Sequence, residues 1–408
     1  MNASLEDLCR QEFVGLDATD PQYAVDVVDR VLGLGRRMGA SDVHLQPEAS
    51  GMALWLRIDG VLHQATQFPK VMAPNIVARL KVLAELLTYR IDVPQEGRIR
   101  DPSDDIEMRV STFPTLYGER AVVRFFSGAR QYQYLDDLGL PADVLDPLRQ
   151  LTVETSGAVL VTGPAGSGKT TTAYAAMREI LRHNAGRRSL MSIEDPIEVA
   201  VPGVAQAQVN PNAGLDLATG LRFLLRQDPE VILVGEIRDR ATAEAALQAS
   251  LTGHLLLSTF HAGSAAEAVG RLSDMGIEPY LLQSGLLAIL CQRLVRRLCD
   301  CARETSDPAA RLGLPVETVR EPVGCERCGG TGYRGRLALA ELLLPRGGPL
   351  RAAVLTRSDA ATLNRLALES GMIGRWQRAC DAVRAGRTSP AEVRRTLGFS
   401  EPPLADLQ

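Results

Sequence analysis

The chain has 408 residues, of which 45% are hydrophobic and 23% are charged. This composition predicts two or three packed domains and excludes an intrinsically disordered protein. The 45 basic and 49 acidic residues give a formal net charge of -4, so no domain-wide basic field is present to hold nucleic acid. The longest apolar runs, such as residues 231–234 and 285–291, are far shorter than the roughly 18 residues of a membrane span. The first residues show no signal-peptide pattern, so we expect a soluble cytoplasmic protein.

The N-terminal part of the chain predicts a small α+β domain over residues 23–128. Residues 1–22 are polar and are typical of a tail. Within the domain, apolar and polar residues alternate on either side of Asp59-Gly60, a dipeptide that favours a β-hairpin. A helix is expected over residues 75–89. Residues 129–155 contain Gly, Asp and Pro without a clear period and predict a linker.

From residue 156 onward the pattern is that of an α/β fold. Short continuous apolar runs alternate with helical stretches, and these runs are residues 158–161, 190–193, 231–234 and 255–258. Strands that are apolar on both faces and separated by helices indicate a mostly parallel sheet covered on both sides. We predict this core over residues 156–298, with a helix over 280–298 at its end. A cysteine-rich module at 299–345 and a C-terminal helical region at 346–408 follow.

The most specific motif is a Walker A phosphate-binding loop, or P-loop. It follows an apolar run and opens a helical stretch, which is the context that G-x-x-x-x-G-K-[ST] requires. Glycines let successive backbone N–H groups converge on a phosphate, and the helix N-terminus adds partial positive charge. Lys169 would reach the β- and γ-phosphates of ATP, and the Thr170 hydroxyl would bind Mg²⁺. The predicted nucleotide-binding residues are Gly163, Pro164, Ala165, Gly166, Ser167, Gly168, Lys169, Thr170 and Thr171.

Acidic side chains follow two other apolar runs, where a P-loop enzyme needs carboxylates. Glu194 and Asp195 follow one run, and Glu236 follows the next. In a parallel sheet these positions meet at the carboxyl edge of neighbouring strands. A third run is bracketed by His254 and His261, whose imidazoles could contact phosphate. A strand-end cap for the two acids of the first run, and a purely structural role for His261, are the alternatives at this point.

In these motifs the chain resembles the ATPases that drive type II secretion and type IV pilus assembly, within the RecA-like motor class. The resemblance runs from about residue 40 to the C-terminus and rests on long motifs in a fixed order. They include GASDVHLQP, LRIDGVL, EGRIR, MRVSTFPTLYGERAVVRF, GPAGSGKTTT, SIEDPIE, LRQDPEVILVGEIRD, TGHLLLSTFHA, CQRLVRRLC and CERCGGTGYRGR. The fold that it implies is a RecA-like core preceded by a PAS-like domain.

The resemblance implies catalytic roles for the acids and histidines. Glu194 would polarise the attacking water, and Glu236 would hold Mg²⁺ through water or share the role of base. Which of the two glutamates is the base stays open. His254 and His261 would lie near the γ-phosphate.

The resemblance also implies that arginines of the N-terminal domain close onto the nucleotide. The candidates are Arg98, Arg109 and Arg124, because a guanidinium offers a planar fork that matches phosphate oxygens. Arg120 follows Glu119 and is more ambiguous. Simple solvation of exposed strand arginines is the alternative.

Four cysteines lie within thirty residues of one another, as Cys299-x-Cys301 and Cys325-x-x-Cys328. In a long chain without a secretion signal, clustered pairs favour a metal over disulfides, and four thiolates suit tetrahedral Zn²⁺. Assembly members of the family carry such a module, with C-x-x-C where this chain has C-x-C. A metal-free module and reduced free thiols are the alternatives. Cys291 is expected in the core, on an apolar helix face.

The favoured function is a mechanochemical ATPase, a homo-hexamer that works on an inner-membrane platform protein to extend a pilus or pseudopilus. We expect it to be cytoplasmic and to reach the inner membrane only through partners, with no nucleic acid bound. The further N-terminal docking domain that is usual in secretion members has no counterpart in the first residues. An ATP-binding scaffold without turnover, and a zinc-containing nucleic-acid translocase, are the competing hypotheses.

Overall fold

The computed structural model describes residues 5–101, 106–125, 132–345 and 347–399. The chain divides into two compact units. The first unit comprises residues 1–127, 296–305 and 320–336, and the second comprises residues 128–295, 306–319 and 337–408. Among the described residues, no helix is both long enough and apolar enough to cross a bilayer.

The first unit is built on a six-stranded antiparallel sheet. Its helices are α1 (Leu5–Glu12), α2 (Tyr23–Arg37) and α3 (Ala73–Leu83). Its strands are β1 (Ala40–Pro47), β2 (Gly51–Ile58), β3 (Val61–Pro69), β4 (Gln95–Asp101), β5 (Ile106–Thr115) and β6 (Gly118–Phe125). The strand order is β3-β2-β1-β6-β5-β4. One face of the sheet forms a core with α2 and α3, and the predicted hairpin turn lies at Asp59 and Gly60, both at positive φ.

Three expectations for the N-terminal half need correction. The polar segment 1–22, expected as a tail, contains α1, which packs on β3 and buries Cys9 completely. The helix expected over residues 75–89 ends at Leu83, and Glu85 then takes a left-handed conformation with φ 58°. The predicted linker contains helix α4 (Ala142–Leu151) as well as a 3₁₀ turn at Leu135–Leu138. Its residues 129–131 lie outside the described residues.

The second unit is built on a sheet with the order β15-β12-β7-β11-β10-β8-β9. Its strands are β7 (Gly157–Thr162), β8 (Leu190–Glu194), β9 (Ala205–Gln208), β10 (Val231–Val234), β11 (Leu255–Phe260), β12 (Leu286–Leu298) and β15 (Tyr333–Leu343). Residues 296–298 of β12 and 333–336 of β15 are counted with the first unit. Strands β7 to β12 pair in parallel. Leu160 packs in the core on one face, whereas Val159 and Val161 pack in the core on the other. This explains the continuous apolar runs and confirms the predicted α/β class.

Helices cover this sheet and follow it along the chain as far as residue 397. They are α5 (Lys169–His183), α6 (Leu217–Leu224), α7 (Arg240–Leu251), α8 (Ala265–Asp274), α9 (Pro279–Gly285), α10 (Gly348–Leu355), α11 (Ala360–Glu369), α12 (Arg375–Arg384) and α13 (Pro390–Leu397). Several begin after a side chain that accepts a backbone N–H and so satisfies one of the donors left free at a helix start. These caps are Asp216, Asp239, Ser264, Asp359 and Ser389.

The helix expected over residues 280–298 is wrong for most of its length. Helix α9 ends at Gly285, and β12 then runs parallel to β7, with Ile289 opposite Leu160. Ile289 and Leu290 are completely buried in cores on opposite faces of the sheet. A continuous apolar run is compatible with a buried helix or a buried strand, so periodicity alone does not separate them. Cys291 is buried as expected, on this strand rather than on a helix.

The cysteine-rich segment contains the short strands β13 (Arg303–Thr305) and β14 (Val319–Glu321), which pair with each other. All four clustered cysteines belong to the first unit. Within that unit, the Asp59 carboxylate accepts the backbone N–H of Gly335 at 2.8 Å and lies 3.8 Å from the Arg336 guanidinium. Arg296 stacks on the Tyr333 ring at 3.9 Å. The cysteine segment is therefore fixed to the β2–β3 hairpin.

Candidate active site

The P-loop connects β7 to α5 at the carboxyl edge of the parallel sheet. Gly166 and Gly168 have φ values of 73° and 87°, a left-handed conformation that glycine adopts without strain. The Lys169 ammonium donates to the carbonyl oxygens of Gly163 and Pro164, both at 3.0 Å. Burial lowers the pKa of Lys169, and the negative charge of Glu236 opposes this shift. The acid after β10 thus acts on the lysine of the loop.

The loop fits a nucleotide phosphate. Its left-handed glycines give the alternating backbone that directs successive N–H groups to one side, as anion-binding loops require. The Ser167 hydroxyl is buried and has no hydrogen-bond partner among the described residues. Thr170 and Thr171 lie in the first turn of α5, next to the lysine. Thr170 and the Glu236 carboxylate have the hard oxygen donors that Mg²⁺ takes.

Glu194 ends β8 and is almost fully buried. One of its carboxylate oxygens accepts the Tyr174 hydroxyl. The other accepts the Ser192 hydroxyl at 2.5 Å and the Gln206 side-chain amide at 3.0 Å. Burial and the neighbouring carboxylate raise the pKa of Tyr174, so the phenol keeps its proton and remains a donor. Three side chains therefore fix the orientation of this carboxylate.

Glu236 lies two residues beyond β10, the parallel neighbour of β8. Its carboxylate accepts Arg238 Nε at 2.6 Å, and the same guanidinium reaches Asp195 at 3.2 Å. His261 Nε2, just after β11, lies 2.6 Å from a Glu236 oxygen. The hydrogen bond from Arg238 to Glu236 is the main reason why the pKa of this arginine is raised. Acids and a histidine from three neighbouring strands meet at this edge, beside a cavity of about 400 Å³ that Glu236 and His261 help to line.

His254 does not join this group, contrary to the prediction. It precedes the first residue of β11, and its carbonyl oxygen accepts the N–H of Gly157, the first residue of β7. Its Nδ1 lies 3.1 Å from the Ala249 carbonyl oxygen at the end of α7. Strands that run in parallel for six residues separate their two ends by roughly 20 Å. His254 therefore lies at the amino edge of the sheet, and the P-loop lies at the carboxyl edge.

The three arginines of the first unit form a row across its sheet. Arg98 on β4 is paired with Arg109 on β5, and Arg109 with Arg124 on β6. The row continues to Asp42 on β1, which accepts Arg124 Nε at 2.8 Å. Arg109 pairs with Glu96 at 2.5 Å. Partners in register project to the same face, so the three guanidinium groups share the face opposite the core.

Arg120 is also in the first unit but is placed differently. Its guanidinium lies 3.0 Å from His44 Nδ1. Burial lowers the pKa of His44, with a smaller contribution from the Arg120 charge in the same direction. Arg120 therefore has a partner on β1 that the other three arginines do not share.

The four clustered cysteines have the geometry of a metal site. Their sulfur atoms all lie within 4.8 Å of one another. Cys299 and Cys325 sulfurs are 3.8 Å apart, those of Cys301 and Cys328 are 3.9 Å apart, and those of Cys325 and Cys328 are 3.7 Å apart. Tetrahedral zinc with Zn–S bonds of about 2.3 Å places sulfurs about 3.8 Å apart. The short C-x-C pair therefore reaches the same centre as the C-x-x-C pair.

Backbone groups support this centre from outside. The N–H groups of Cys325 and Gly332 point to the Cys328 sulfur at 3.1 and 3.2 Å. Such donors stabilise negative charge on a thiolate and fix its direction. The donor set, four thiolates with backbone N–H support, suits a structural zinc ion.

Sequence reasoning missed the side chains that fix the positions of the predicted site residues. Tyr174, Gln206 and Gln292 all have side chains engaged with the site or with the P-loop. Tyr174 lies five residues after Lys169, on the helix that the P-loop opens, and Gln292 lies inside the motif CQRLVRRLC. The available signal for Gln292 was a polar residue directly after the apolar run 285–291.

Comparisons with known proteins place this geometry in a family. The family model described as "Type II/IV secretion system protein" matches residues 17–395. The chain is 42% identical over 385 residues to type II secretion system protein E of Pectobacterium carotovorum, an alignment that covers 93% of this chain and 76% of that protein. It is 39% identical over 364 residues to the type IV pilus assembly ATPase PilB of Thermus thermophilus, covering 86% of this chain. The chain spans only 40% of the length of that relative.

Solved structures share the fold. The ATPase DotB of Legionella pneumophila superposes with a TM-score of 0.68 at 20% identity, over 93% of this chain and 97% of that one. The pilus retraction motor PilT with bound ADP superposes with a TM-score of 0.60 at 22% identity, over 92% of this chain and 97% of that one. Together with the P-loop and the family match, these findings show that the chain is a P-loop ATPase that belongs to the type II/IV secretion system protein family.

Proposed function

We propose that this chain is a cytoplasmic motor that hydrolyses ATP as a ring of six copies and so powers assembly of a pilus or pseudopilus. The observation that carries the chemistry is the meeting of Glu194, Glu236 and His261 at the sheet edge where the P-loop begins. The motor role is supported by the relatives, which include a type IV pilus assembly ATPase and type II secretion system proteins. An inner-membrane platform protein is the proposed partner, and it would hold the motor at the membrane.

In the proposed reaction, the P-loop amides and Lys169 bind the β- and γ-phosphates. Mg²⁺ held by Thr170 and Glu236 would supply positive charge against the phosphate oxygens. Glu194 accepts a proton from the attacking water, and its three donors keep it aimed while this happens. Arg98, Arg109 and Arg124 contact the γ-phosphate of the same or a neighbouring copy and stabilise its developing charge.

The proposed roles of the two glutamates follow from their surroundings. Glu236 acts electrostatically on Lys169 and is partly accessible, with 17% of its side chain exposed, as a ligand to a phosphate-bound ion must be. Glu194 is almost fully buried, and the three donors to its carboxylate among the described residues are the neutral side chains of Tyr174, Ser192 and Gln206. Glu194 is therefore proposed as the proton acceptor because its carboxylate is held in one orientation and is not assigned to Mg²⁺.

The test is steady-state ATP hydrolysis by the purified chain, with Lys169→Ala and Lys70→Ala compared side by side. We expect turnover that Lys169→Ala abolishes and that Lys70→Ala, on the surface of the first unit, leaves unchanged. ATP binding without turnover above the Lys169→Ala level would instead establish the scaffold hypothesis. Light scattering with and without ATP gives the molar mass of the assembly. A mass other than that of six chains would refute the hexamer.

A further inference from the structure

Gln292 is a buried polar residue in the middle of β12 and has no role in the reaction described above. It lies on β12, one residue after Cys291, which is opposite Thr162 at the end of β7. Its side chain is 3% exposed. A buried amide must satisfy its donors and acceptor inside the protein, since an unpaired buried polar group is costly. Its partners therefore show what the residue is for.

Both ends of the Gln292 amide bind the P-loop and the helix that the loop opens. Nε2 donates to the Ser167 carbonyl oxygen at 2.7 Å, and Oε1 accepts the Thr172 hydroxyl at 3.0 Å. The two contacts require opposite ends of the amide, so they fix which end faces the loop. Ser167 precedes the last glycine of the loop, and Thr172 lies in the first turn of α5.

The two outer glycines of the loop also lie against Gln292. A Cβ atom on Gly163 would come within 2.4 Å of the Gln292 carbonyl oxygen. A Cβ atom on Gly168 would come within 3.1 Å of Nε2. The first and last glycines of the motif are thus packed on one residue of β12, and any larger side chain at Gly163 would displace it.

The contact to the Ser167 carbonyl oxygen controls the direction of a phosphate-binding group. In a trans peptide the C=O of Ser167 and the N–H of Gly168 point in opposite directions. Gln292 holds the oxygen on its own side, so the Gly168 N–H is turned to the other side. Gly168 adopts the left-handed conformation at φ 87°, next to a peptide plane that glycine leaves free to rotate. Without an anchor on the oxygen, this plane could turn and withdraw the N–H.

We infer that Gln292 is a positioning residue that sets the phosphate-binding conformation of the P-loop by holding the Ser167–Gly168 peptide, with Thr172 orienting its amide. This inference rests on nucleotide binding by the loop, which is part of the proposed function. It gives the CQRL segment a role in nucleotide binding. It also makes phosphate affinity depend on a strand that lies more than 120 residues after the loop in the chain.

The test is the affinity for ADP and for AMP, measured by competition with a fluorescent ADP analogue, in wild type, Gln292→Met and Gln292→Glu. Met has a similar shape without hydrogen-bonding groups, and Glu replaces the donor to Ser167 with an acceptor. We expect ADP affinity to fall about tenfold in Gln292→Met, as for loss of one hydrogen bond, and further in Gln292→Glu. AMP affinity should change much less, since the loop binds the β-phosphate. Gln248→Met, on the exposed face of α7, is the control and should match wild type.

A double-mutant cycle separates positioning from packing. Thr172→Val should weaken ADP binding in the wild-type background and have no further effect in Gln292→Met, because Thr172 acts on the loop only through the amide. Equal ADP affinity of wild type and Gln292→Met, equal losses for ADP and AMP, or additive effects of the two substitutions would each overturn the inference. If wild type itself fails to bind ADP, the proposed function falls and the inference falls with it.

Discussion

Arg109 and Arg124 stand directly opposite each other on neighbouring antiparallel strands, and Arg98 stands opposite Arg109 on the other side. Like charges in register across a sheet are destabilising, and Glu96, paired with Arg109, and Asp42, paired with Arg124, offset part of the repulsion in this row. A sheet that accepts this cost on its exposed face presents a strong anion-binding surface. The row is thus the physical feature behind the proposal that these arginines meet the γ-phosphate.

Arg109→Ala should lower kcat for ATP hydrolysis by about 10³-fold while leaving ADP affinity within about twofold, because the proposed contact forms on the developing γ-phosphate charge. The measurement is steady-state hydrolysis together with ADP binding. Arg57→Ala is the matched control, since Arg57 pairs with Asp42 at 3.6 Å at the other end of the same row. Unchanged hydrolysis in Arg109→Ala would remove this residue from the site.

Glu236→Gln should retain ATP binding and lose turnover by about a hundredfold or more, because the amide cannot hold a divalent ion as the carboxylate does. Glu194→Gln should also bind ATP and lose turnover, with Mg²⁺ dependence of binding kept, which separates the two roles. Glu244→Gln, whose partner is the exposed Arg240, is the control. Wild-type hydrolysis in either site variant would contradict its assignment.

Tyr174→Phe removes one donor from Glu194 and keeps the ring. A hydrogen bond to a charged carboxylate is worth enough to lower kcat about 10- to 100-fold, with ADP affinity unchanged. Because the pKa of Tyr174 is itself raised by burial, the wild-type phenol adds no alkaline limb below pH 10.

The control for this variant is Tyr23→Phe, a buried tyrosine in the core of the first unit. Its kcat should match that of wild type. A wild-type kcat in Tyr174→Phe would show that the phenol serves packing alone.

The two histidines should give opposite results. His261→Ala should reduce hydrolysis about tenfold or more, since the imidazole lies 2.6 Å from Glu236. His254→Ala should remain within about twofold of wild type, because its partner is the Ala249 carbonyl oxygen at the other edge of the sheet. Each variant serves as the control for the other, and a large catalytic defect in His254→Ala would contradict the placement described here.

The tetracysteine centre should hold one zinc ion per chain, measured by elemental analysis of protein purified without chelator. Cys301→Ser should lose most of the metal and lower the melting temperature, whereas Cys380→Ala should keep the metal. Burial raises the pKa of the three remaining thiols, to about 11 for Cys9 and about 12 for Cys291, so alkylating reagents at pH 8 should find few reactive thiols before the metal is removed. Protein that lacks metal and alkylates readily at Cys301 would refute the site.

The sequence sufficed for features that depend on local patterns. Short motifs identified the P-loop with its strand and its helix, as well as the acids at the ends of β8 and β10. The alternation of apolar runs with helical stretches gave these motifs their structural context. The strand identity of residues 286–298 did not follow, because the apolar run at the start of β12 has no alternation to distinguish it from a helix. The separation of His254 from the P-loop did not follow from the sequence either. His254 and His261 flank the short strand β11, so they are close along the chain, but they lie at opposite edges of the sheet. The roles of the site residues stay predictions until the variants are measured.

Residues that act through others were the least accessible to sequence reasoning. Tyr174 and Gln292 reach their partners over 20 and 125 residues of chain, and neither is charged. What these neutral side chains hold becomes visible only in the fold, where α5 contacts the end of β8 through Tyr174 and contacts β12 through Thr172. For the cysteines, by contrast, the sequence identified the residues themselves. The structure adds that the short C-x-C pair reaches the same centre as the C-x-x-C pair.

The first unit is assembled from three separated stretches of chain, and the Asp59 turn is tied to Gly335 and Arg336. During synthesis, nearly three hundred further residues must therefore be added before the contacts of this hairpin with Gly335 and Arg336 can form. A fragment cut after residue 127 would contain the whole antiparallel sheet and still lack that attachment. The isolated N-terminal fragment therefore lacks part of the first unit. Any activity or instability measured on it is a property of the fragment and not of the whole chain.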